Sequence, residues 1–304
     1  MPLTMLETIY IVRLGKPRQA KDLQKWLDRQ PVKVDVFYSS PSAFCLSTLK
    51  PAIDAAVTKK LLQTGVRVEY GFGEWFGPYS PRERDPLDEL QNDFDNLDAN
   101  YQDVGPFQTA PETLEDLHMR VLYTLDPVIR DLDEDPTRPK TVLICTHAPT
   151  MIAMSRILTG KVPKSTDKRD FRVPMCGVSK FSRKPDSTEV VGGWEIKLHG
   201  YTGFLYDGER ELWHFQPGSA QRMSWTIIFH RFLDHFKDNP YGLPADIYVG
   251  CLVGFTYTVI VKFLIVMGCF PLRADAEAMN ETTVWAMVAI SFTLFCFPPL
   301  VARN

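Results

Sequence analysis

The sequence lacks three features that would each point to a class of protein. The 304 residues carry a formal net charge of -3 and no run of Lys and Arg, so direct binding of nucleic acid is not expected. None of the six cysteines is spaced as CxxC, which argues against a zinc site and favours reduced thiols in a cytosolic or nuclear setting. The N-terminus has no basic region before an apolar stretch, so we expect no signal peptide.

The composition of the chain changes near residue 240. Before it, β-rich runs alternate with helical patterns, which predicts an α/β fold for residues 1–240. We expect a three-layer sandwich with a mostly parallel central sheet flanked by helices. The predicted strands are residues 8–12, 34–38, 141–146, 175–181 and 194–198. The predicted helices are residues 21–27, 51–62 with Pro51 in the first turn, 111–132 capped by Thr109 or Thr113, and 151–158.

Residues 241–304 form a hydrophobic tail. Residues 247–270 contain one charge, Lys262, and residues 283–301 contain none, and either length suffices to cross a bilayer. The linker contains a glycosylation sequon at Asn280. The tail therefore has two readings: a helical hairpin in the membrane with the first domain facing the cytosol, or a translated intron that is no natural part of the domain.

Three short stretches place reactive side chains in one region of the predicted sheet. Arg13 follows the first strand, His147 follows the central strand, and Glu74 lies in a glycine-rich loop. In open α/β sheets, ligands bind beyond the carboxyl ends of the strands. Plainer readings also exist, in which Arg13 is a surface residue, His147 is a satisfied buried histidine and Glu74 caps a turn.

These motifs resemble those of the histidine phosphatase superfamily, which has the phosphoglycerate mutase fold. The matching features are strand-Arg-x-Gly at residues 8–15, Ser39-Ser40-Pro41, Gly-x-Gly-Glu-Trp at 71–75 and Thr146-His147-Ala148. The stretches 194–198 and 208–215 look like the branch that contains the phosphatase-like tau subunit of fungal transcription factor IIIC. The resemblance implies that Arg13 and His147 bind phosphate and that Glu74 is the acid of a catalytic pair with His147. It implies no metal and no cofactor.

Two departures from the family pattern argue against catalysis. The nucleophilic histidine that should follow Arg13 is Leu14, and a leucine has no lone pair with which to attack phosphorus. The second phosphate-binding arginine is replaced by Phe44. One deletion accounts for the first departure: it joins Arg13 to a helix start that contains Leu14 and Gly15, removing the histidine and its loop.

These observations leave four hypotheses. The first is a degenerate histidine phosphatase, weak or inactive, with a binding or scaffolding role. The second is an active phosphomonoesterase in which His147 is the nucleophile. The third is an interaction module of an RNA polymerase III factor, located in the nucleus, and the fourth is a membrane protein anchored through residues 247–301. A phosphorylated ligand and a protein partner are the expected partners.

Overall fold

A computed structural model describes residues 5–62, 64–77, 87–106, 111–161, 163 and 168–215. The boundary predicted at residue 240, the two hydrophobic segments and Asn280 lie outside these residues. Within the described part of the chain, no helix is both long enough and apolar enough to cross a membrane.

One six-stranded sheet forms the centre of the domain. Its strands are β1 (Thr8–Arg13), β2 (Val36–Ser39), β3 (Arg67–Val68), β4 (Thr141–Thr146), β5 (Val178–Arg183) and β6 (Trp194–Tyr201), in the order β3-β2-β4-β1-β5-β6. The pairs β3-β2, β2-β4 and β4-β1 are parallel, whereas β5 is antiparallel to both of its neighbours. The expected mostly parallel sheet is thus a mixed sheet.

Helices cover the sheet. They are α1 (Pro17–Asp28), α2 (Ala43–Thr58), α3 (Leu87–Asp93), α4 (Leu114–Glu134) and α5 (Ala148–Thr159). Successive residues of β1 point to opposite faces: Ile9 and Ile11 pack with α4 and α5, and Tyr10 and Val12 pack with α1 and α2. A strand that is buried on both faces requires an apolar run, which explains why β1 and β4 could be identified from the sequence.

The predicted start of α2 is wrong. Pro51 lies inside the helix, which begins at Ala43 after Ser42, whose backbone is extended. A proline in a helix interior removes one backbone hydrogen bond. Buried apolar side chains lie on both sides of Pro51, and their packing stabilises the helix across it: Cys45, Leu46, Leu49, Ala52 and Ile53.

The start of α4 agrees with one of the two predicted caps. The side chain of Thr113 accepts a hydrogen bond from the backbone N–H of Asp116, and the Asp116 carboxylate accepts one from the backbone N–H of Thr113. This reciprocal pair satisfies backbone donors that the first helical turn would leave unpaired. Thr109, the alternative cap, lies outside the described residues.

Candidate functional site

Three neighbouring strands end at one edge of the sheet and bring the motif residues together. The register pairs Arg13 of β1 with Thr146 of β4, and Ser39 of β2 with Cys145 of β4. The residues that follow each strand therefore leave the sheet side by side. This is the edge at which an open α/β sheet binds its ligands.

His147 occupies the centre of this edge, and its side chain is 7% exposed. Its Nδ1 lies 2.7 Å from Oε2 of Glu74. Although the two atoms are close, the contact lacks the alignment of a hydrogen bond, so we describe it as an ion pair. On the other side of the ring, Nε2 lies 3.0 Å from Oγ of Ser40. Both nitrogens of the imidazole thus face groups of the protein itself.

The charges around His147 favour its protonated form. Burial by itself lowers the pKa of His147, but the Cys45 sulfur and the Glu74 carboxylate outweigh it and raise the pKa to about 10. Burial by itself would raise the pKa of Glu74, but the contact with His147, a backbone hydrogen bond from Trp75 and the charge of Arg13 lower it. An imidazolium paired with a carboxylate is therefore the expected state at neutral pH.

Cys45 is a site residue that the sequence analysis missed. It lies in the first turn of α2, is fully buried, and places its Sγ 3.7 Å from Nε2 of His147. Burial would raise the pKa of its thiol, but contacts with Cys145 and His147 lower the pKa to about 6. Its place one residue after Phe44, in the stretch where the family binds phosphate, was the signal that could have identified it.

A buried arginine holds the loop that carries Glu74. Arg120 of α4 forms a two-pronged ion pair with Glu112, with distances of 2.7 and 2.9 Å. The same guanidinium donates to the carbonyls of Gly71, Gly73 and Glu74. Arg120 therefore fixes the backbone that positions Glu74, and the sequence analysis assigned it no role.

Two threonines from the β4–α5 region hold the same loop. Thr146 Oγ1 donates to the carbonyl of Phe72 at 2.6 Å, and Thr150 Oγ1 donates to the carbonyl of Gly73 at 2.7 Å. Hydroxyl donors that are buried with their acceptors fix a loop more firmly than solvent-exposed ones. The motif around His147 thus positions the loop of Glu74 as well as the imidazole.

Arg13 lies near Glu74, but its guanidinium binds backbone carbonyls. Its NH1 donates to the carbonyl of Val173 at 2.9 Å and to the carbonyl of Glu211. Burial lowers the pKa of Arg13, and the charges of Glu211 and Glu74 oppose that effect. The predicted phosphate ligand is therefore close to the other site residues and is already hydrogen-bonded to the protein.

The connection from β1 to α1 is three residues long. β1 ends at Arg13 and α1 begins at Pro17, so Leu14, Gly15 and Lys16 alone connect them. Leu14 packs against the apolar layer beneath α1 and α2. Gly15 approaches Cys176 so closely that a Cβ on Gly15 would lie 2.6 Å from the Cys176 Cβ, which requires a glycine for packing.

Phe44 stands where the resemblance places a second phosphate-binding arginine. It is 71% exposed and donates nothing to the site. Among the described residues, the structure brings Arg13, Glu74 and His147 to one edge of the sheet and adds Ser40 and Cys45. It supplies neither a nucleophilic histidine after Arg13 nor a second arginine.

Comparison with known proteins gives this arrangement a context. The family model "Histidine phosphatase superfamily (branch 1)" matches residues 15–194 and so begins just after β1 and Leu14. The 55 kDa subunit of transcription factor tau from Saccharomyces cerevisiae is 24% identical over 246 residues, covering 70% of this chain. The ecdysteroid-phosphate phosphatase of Drosophila melanogaster is 27% identical over 183 residues, covering 59% of this chain.

The lengths of these relatives differ from that of this chain. The matched region spans 53% of the yeast subunit and 23% of the fly phosphatase. Among solved structures, the silkworm ecdysone phosphate phosphatase, determined with tungstate, aligns with a TM-score of 0.52 and 15% identity. The alignment covers 73% of this chain and 99% of the silkworm chain, and at that identity the likeness concerns the fold alone.

Proposed function

Because the chain belongs to the histidine phosphatase superfamily (branch 1), we propose that it is a member without phosphoryl-transfer activity whose domain binds or scaffolds other molecules. The observation that carries the proposal is Leu14, which follows Arg13 at the position of the family's nucleophile. The two residues predicted to bind phosphate, Arg13 and His147, also contact other groups of the protein. Arg13 donates to two carbonyls, and His147 lies between Ser40 and Glu74.

The chemistry of phosphoryl transfer supports this proposal. The reaction needs a nucleophile in line with the leaving group and several cations around the transferring phosphoryl group. Leu14 is no nucleophile, and Phe44 adds no charge. His147 could accept a dianion at Nε2 only by exchanging its contact with Ser40 for it, and a buried polar group loses such a partner at a cost of about 1–3 kcal/mol. Arg13 has both N–H groups of Nη1 committed to carbonyls.

The competing hypothesis keeps Glu74 and His147 as a catalytic pair. In that reading His147 attacks phosphorus and Glu74 protonates the leaving oxygen. An imidazolium has no lone pair on Nε2, and the Cys45 sulfur and the Glu74 carboxylate both favour that protonated state by raising the pKa of His147. This reading therefore requires His147 to lose a proton and to move away from Ser40 before it can react.

Hydrolysis of p-nitrophenyl phosphate by the full-length protein tests the proposal. The matched variants are His147→Ala, which removes the imidazole, and Glu74→Gln, which removes the acid while keeping its size. We expect no hydrolysis above background that depends on either residue. Trapping of a phosphohistidine at position 147 would support the competing hypothesis.

A role as a subunit-like interaction module is a second candidate. It is favoured by the similarity to the 55 kDa subunit of yeast transcription factor tau, which extends over 70% of this chain. The role needs no active site, so it is compatible with the first proposal. Tagged full-length protein should then co-purify with other subunits of the corresponding transcription factor from nuclear extract, and their absence from purified material would contradict the module hypothesis.

The hydrophobic tail separates this candidate from a membrane-anchored protein. If residues 247–270 and 283–301 form a membrane hairpin, the full chain resists carbonate extraction from membranes. Asn280 then carries a glycan, and its removal by a glycosidase increases the mobility of the chain on a gel. A nuclear subunit shows neither property. The division into a phosphatase-like domain, residues 1–240, and a tail, residues 241–304, is part of the same proposal.

A further inference from the structure

A segment from the end of the described chain lies beside the candidate site. We call residues 207–215 the strap. Its carbonyl at Glu211 accepts the hydrogen bond from Arg13, and Phe215 at its end packs edge-on against Trp75, with ring centroids 5.5 Å apart. Trp75 directly follows Glu74. The strap therefore joins the end of β1 to the loop of Glu74, the two sides of the candidate site.

The middle of the strap is exposed, whereas both of its flanks are buried. Leu205, just before it, is 7% exposed, and Phe215 at its end is 2% exposed. Between them, residues 206–212 are exposed. Two backbone contacts hold this middle part to the segment before β5: the N–H of Met175 donates to Arg210, and Trp213 bridges to Val173.

Ion pairs along the strap lie at its outer edge. Asp207 pairs with Arg18 at 3.6 Å, Glu209 pairs with Arg172 at 2.5 Å, and Glu211 pairs with Lys16 at 3.0 Å. Exposed pairs of this kind contribute little free energy and are screened by salt. Arg13 differs from them because its guanidinium is half-buried and donates to two carbonyls, with the bond to Val173 part-buried and the bond to Glu211 exposed. Arg13 therefore connects the middle part of the strap to the half-buried end of β1.

The backbone of Glu211 is in the left-handed region, with φ at 51°. A residue with a side chain reaches this region at a cost of about 1 kcal/mol, and such strain persists only where other contacts impose it. The carbonyl that Arg13 binds belongs to this same residue. The hydrogen bond from Arg13 therefore stabilises a residue whose backbone conformation is itself unfavourable.

We propose that the strap is a lid over the candidate site and that Arg13 has become its latch. In the closed state Arg13 donates both N–H groups of its Nη1 to the carbonyls of Glu211 and Val173, so these two donors are not available to an anion. Loss of the latch frees the strained turn, and residues 207–212 lift between their buried flanks, which exposes Arg13 on the strap side. The inference concerns the same site as the proposed function but does not require the protein to be inactive.

Backbone hydrogen exchange of the full-length protein tests the latch. In Arg13→Met, which keeps much of the side-chain volume but removes the donors, we expect the amides of Met175 and Gly208, which donate to Arg210 and Leu205, to exchange about tenfold faster or more. Amides of β4 and α5 should keep their wild-type rates. Arg13→Lys, which preserves charge and packing, should give a smaller increase of about threefold.

Two control variants separate the latch from the surface ion pairs. Glu211→Gln removes the pairing with Lys16 but keeps the carbonyl, and Arg18→Met removes the pairing with Asp207. Both should change the exchange of the Met175 and Gly208 amides by less than about threefold. Wild-type rates at these two amides for both Arg13→Met and Arg13→Lys overturn the proposal, as does an equal increase in the two control variants. Phosphatase activity of any size leaves this result unaffected.

Discussion

The candidate site has two halves that differ in how much of the family pattern they keep. The half built from β2, β4 and the Glu74 loop keeps its motifs, and Ser40 and Glu74 each contact one nitrogen of His147. The half built from β1 ends at Arg13 and passes directly through Leu14 into the next helix. One half of the site therefore keeps the family's motif residues, while the other has Leu14 after Arg13 and three residues between β1 and α1.

This difference shows that motif residues can remain for structural reasons. Thr146, next to His147, holds the backbone of Phe72, and Arg120 holds the carbonyls of the Glu74 loop. Such residues connect β4, α4 and the loop whether or not phosphate is ever bound. The half of the site that keeps its motifs thus also stabilises the fold, and the presence of these motifs alone does not indicate catalysis.

The largest expected effect tests whether the half that keeps its motifs stabilises the fold. Arg120→Met breaks a buried ion pair, leaves Glu112 uncompensated and releases the Glu74 loop. We expect the free energy of unfolding in urea to fall by about 3–5 kcal/mol. Lys50→Met is the control, because Lys50 and Asp54 are 48% and 47% exposed and pair within one helix, α2. It should cost less than about 0.5 kcal/mol, and equal losses in the two variants would contradict this view.

A second variant tests whether the absence of a histidine after Arg13 is the only difference from an active site on the β1 side. Leu14→His restores the histidine to the motif, yet we expect no phosphatase activity, because Leu14 packs under α1 and α2 and three residues alone connect β1 to α1. Placing an imidazole in that apolar contact should cost about 1–2 kcal/mol of stability. Recovery of p-nitrophenyl phosphate hydrolysis in Leu14→His would show instead that a single substitution separates this chain from an active enzyme.

The electrostatics of the half that keeps its motifs can be tested by comparing two buried histidines. Burial lowers the pKa of His118 to about 3, whereas anionic neighbours raise that of His147 to about 10. A histidine whose pKa is raised stays protonated through neutral pH and loses its proton only as the pH approaches 10. We therefore expect NMR to show an imidazolium at His147 and a neutral ring at His118 at pH 7.5.

The Glu74→Gln variant sharpens that comparison. It removes the anion beside Nδ1, so the pKa of His147 should move down towards its ordinary value of 6.5, while His118 should not respond. The His147→Ala spectrum assigns the resonance. If the pKa of His147 in the wild-type protein is already ordinary, the imidazolium–carboxylate pair does not exist in solution.

The smallest expected effect concerns Phe44. Because its side chain is 71% exposed, Phe44→Arg should change the free energy of unfolding by less than about 0.5 kcal/mol. Urea denaturation at matched protein concentration measures this difference. A loss greater than 1 kcal/mol would mean that Phe44 is packed in solution and that the position could not readily accept the family's arginine.

The sequence was sufficient to predict the layers of the fold and to single out Arg13, Glu74 and His147, which lie close together in it. The runs in β1 and β4 are apolar because both faces of these strands are buried, and that periodicity is visible in one sequence. The position of Pro51 misled the prediction of α2, because packing on both sides of the helix overrides the local preference of proline. The antiparallel direction of β5 depends on how the chain returns to the sheet, which a local pattern does not record.

The contacts of the site depend on residues far apart in the chain. Arg13 and Glu211 are separated by 198 positions, and no motif connects them. Arg120 was not predicted because a lone arginine in an amphipathic helix resembles an ordinary surface residue until Glu112 and the Glu74 loop pack around it. Motif spacing singled out Glu74 and His147. Their hydrogen-bond partners, Ser40 for His147 and the backbone N–H of Trp75 for Glu74, are apparent only in the folded chain.

Initial rates of phosphate monoester hydrolysis by purified full-length wild type and His147→Ala test the central claim most directly. The two proteins should be indistinguishable from each other and from buffer. A wild-type rate that falls about hundredfold or more on loss of the imidazole would contradict the claim and show that the half of the site that keeps its motifs suffices for catalysis.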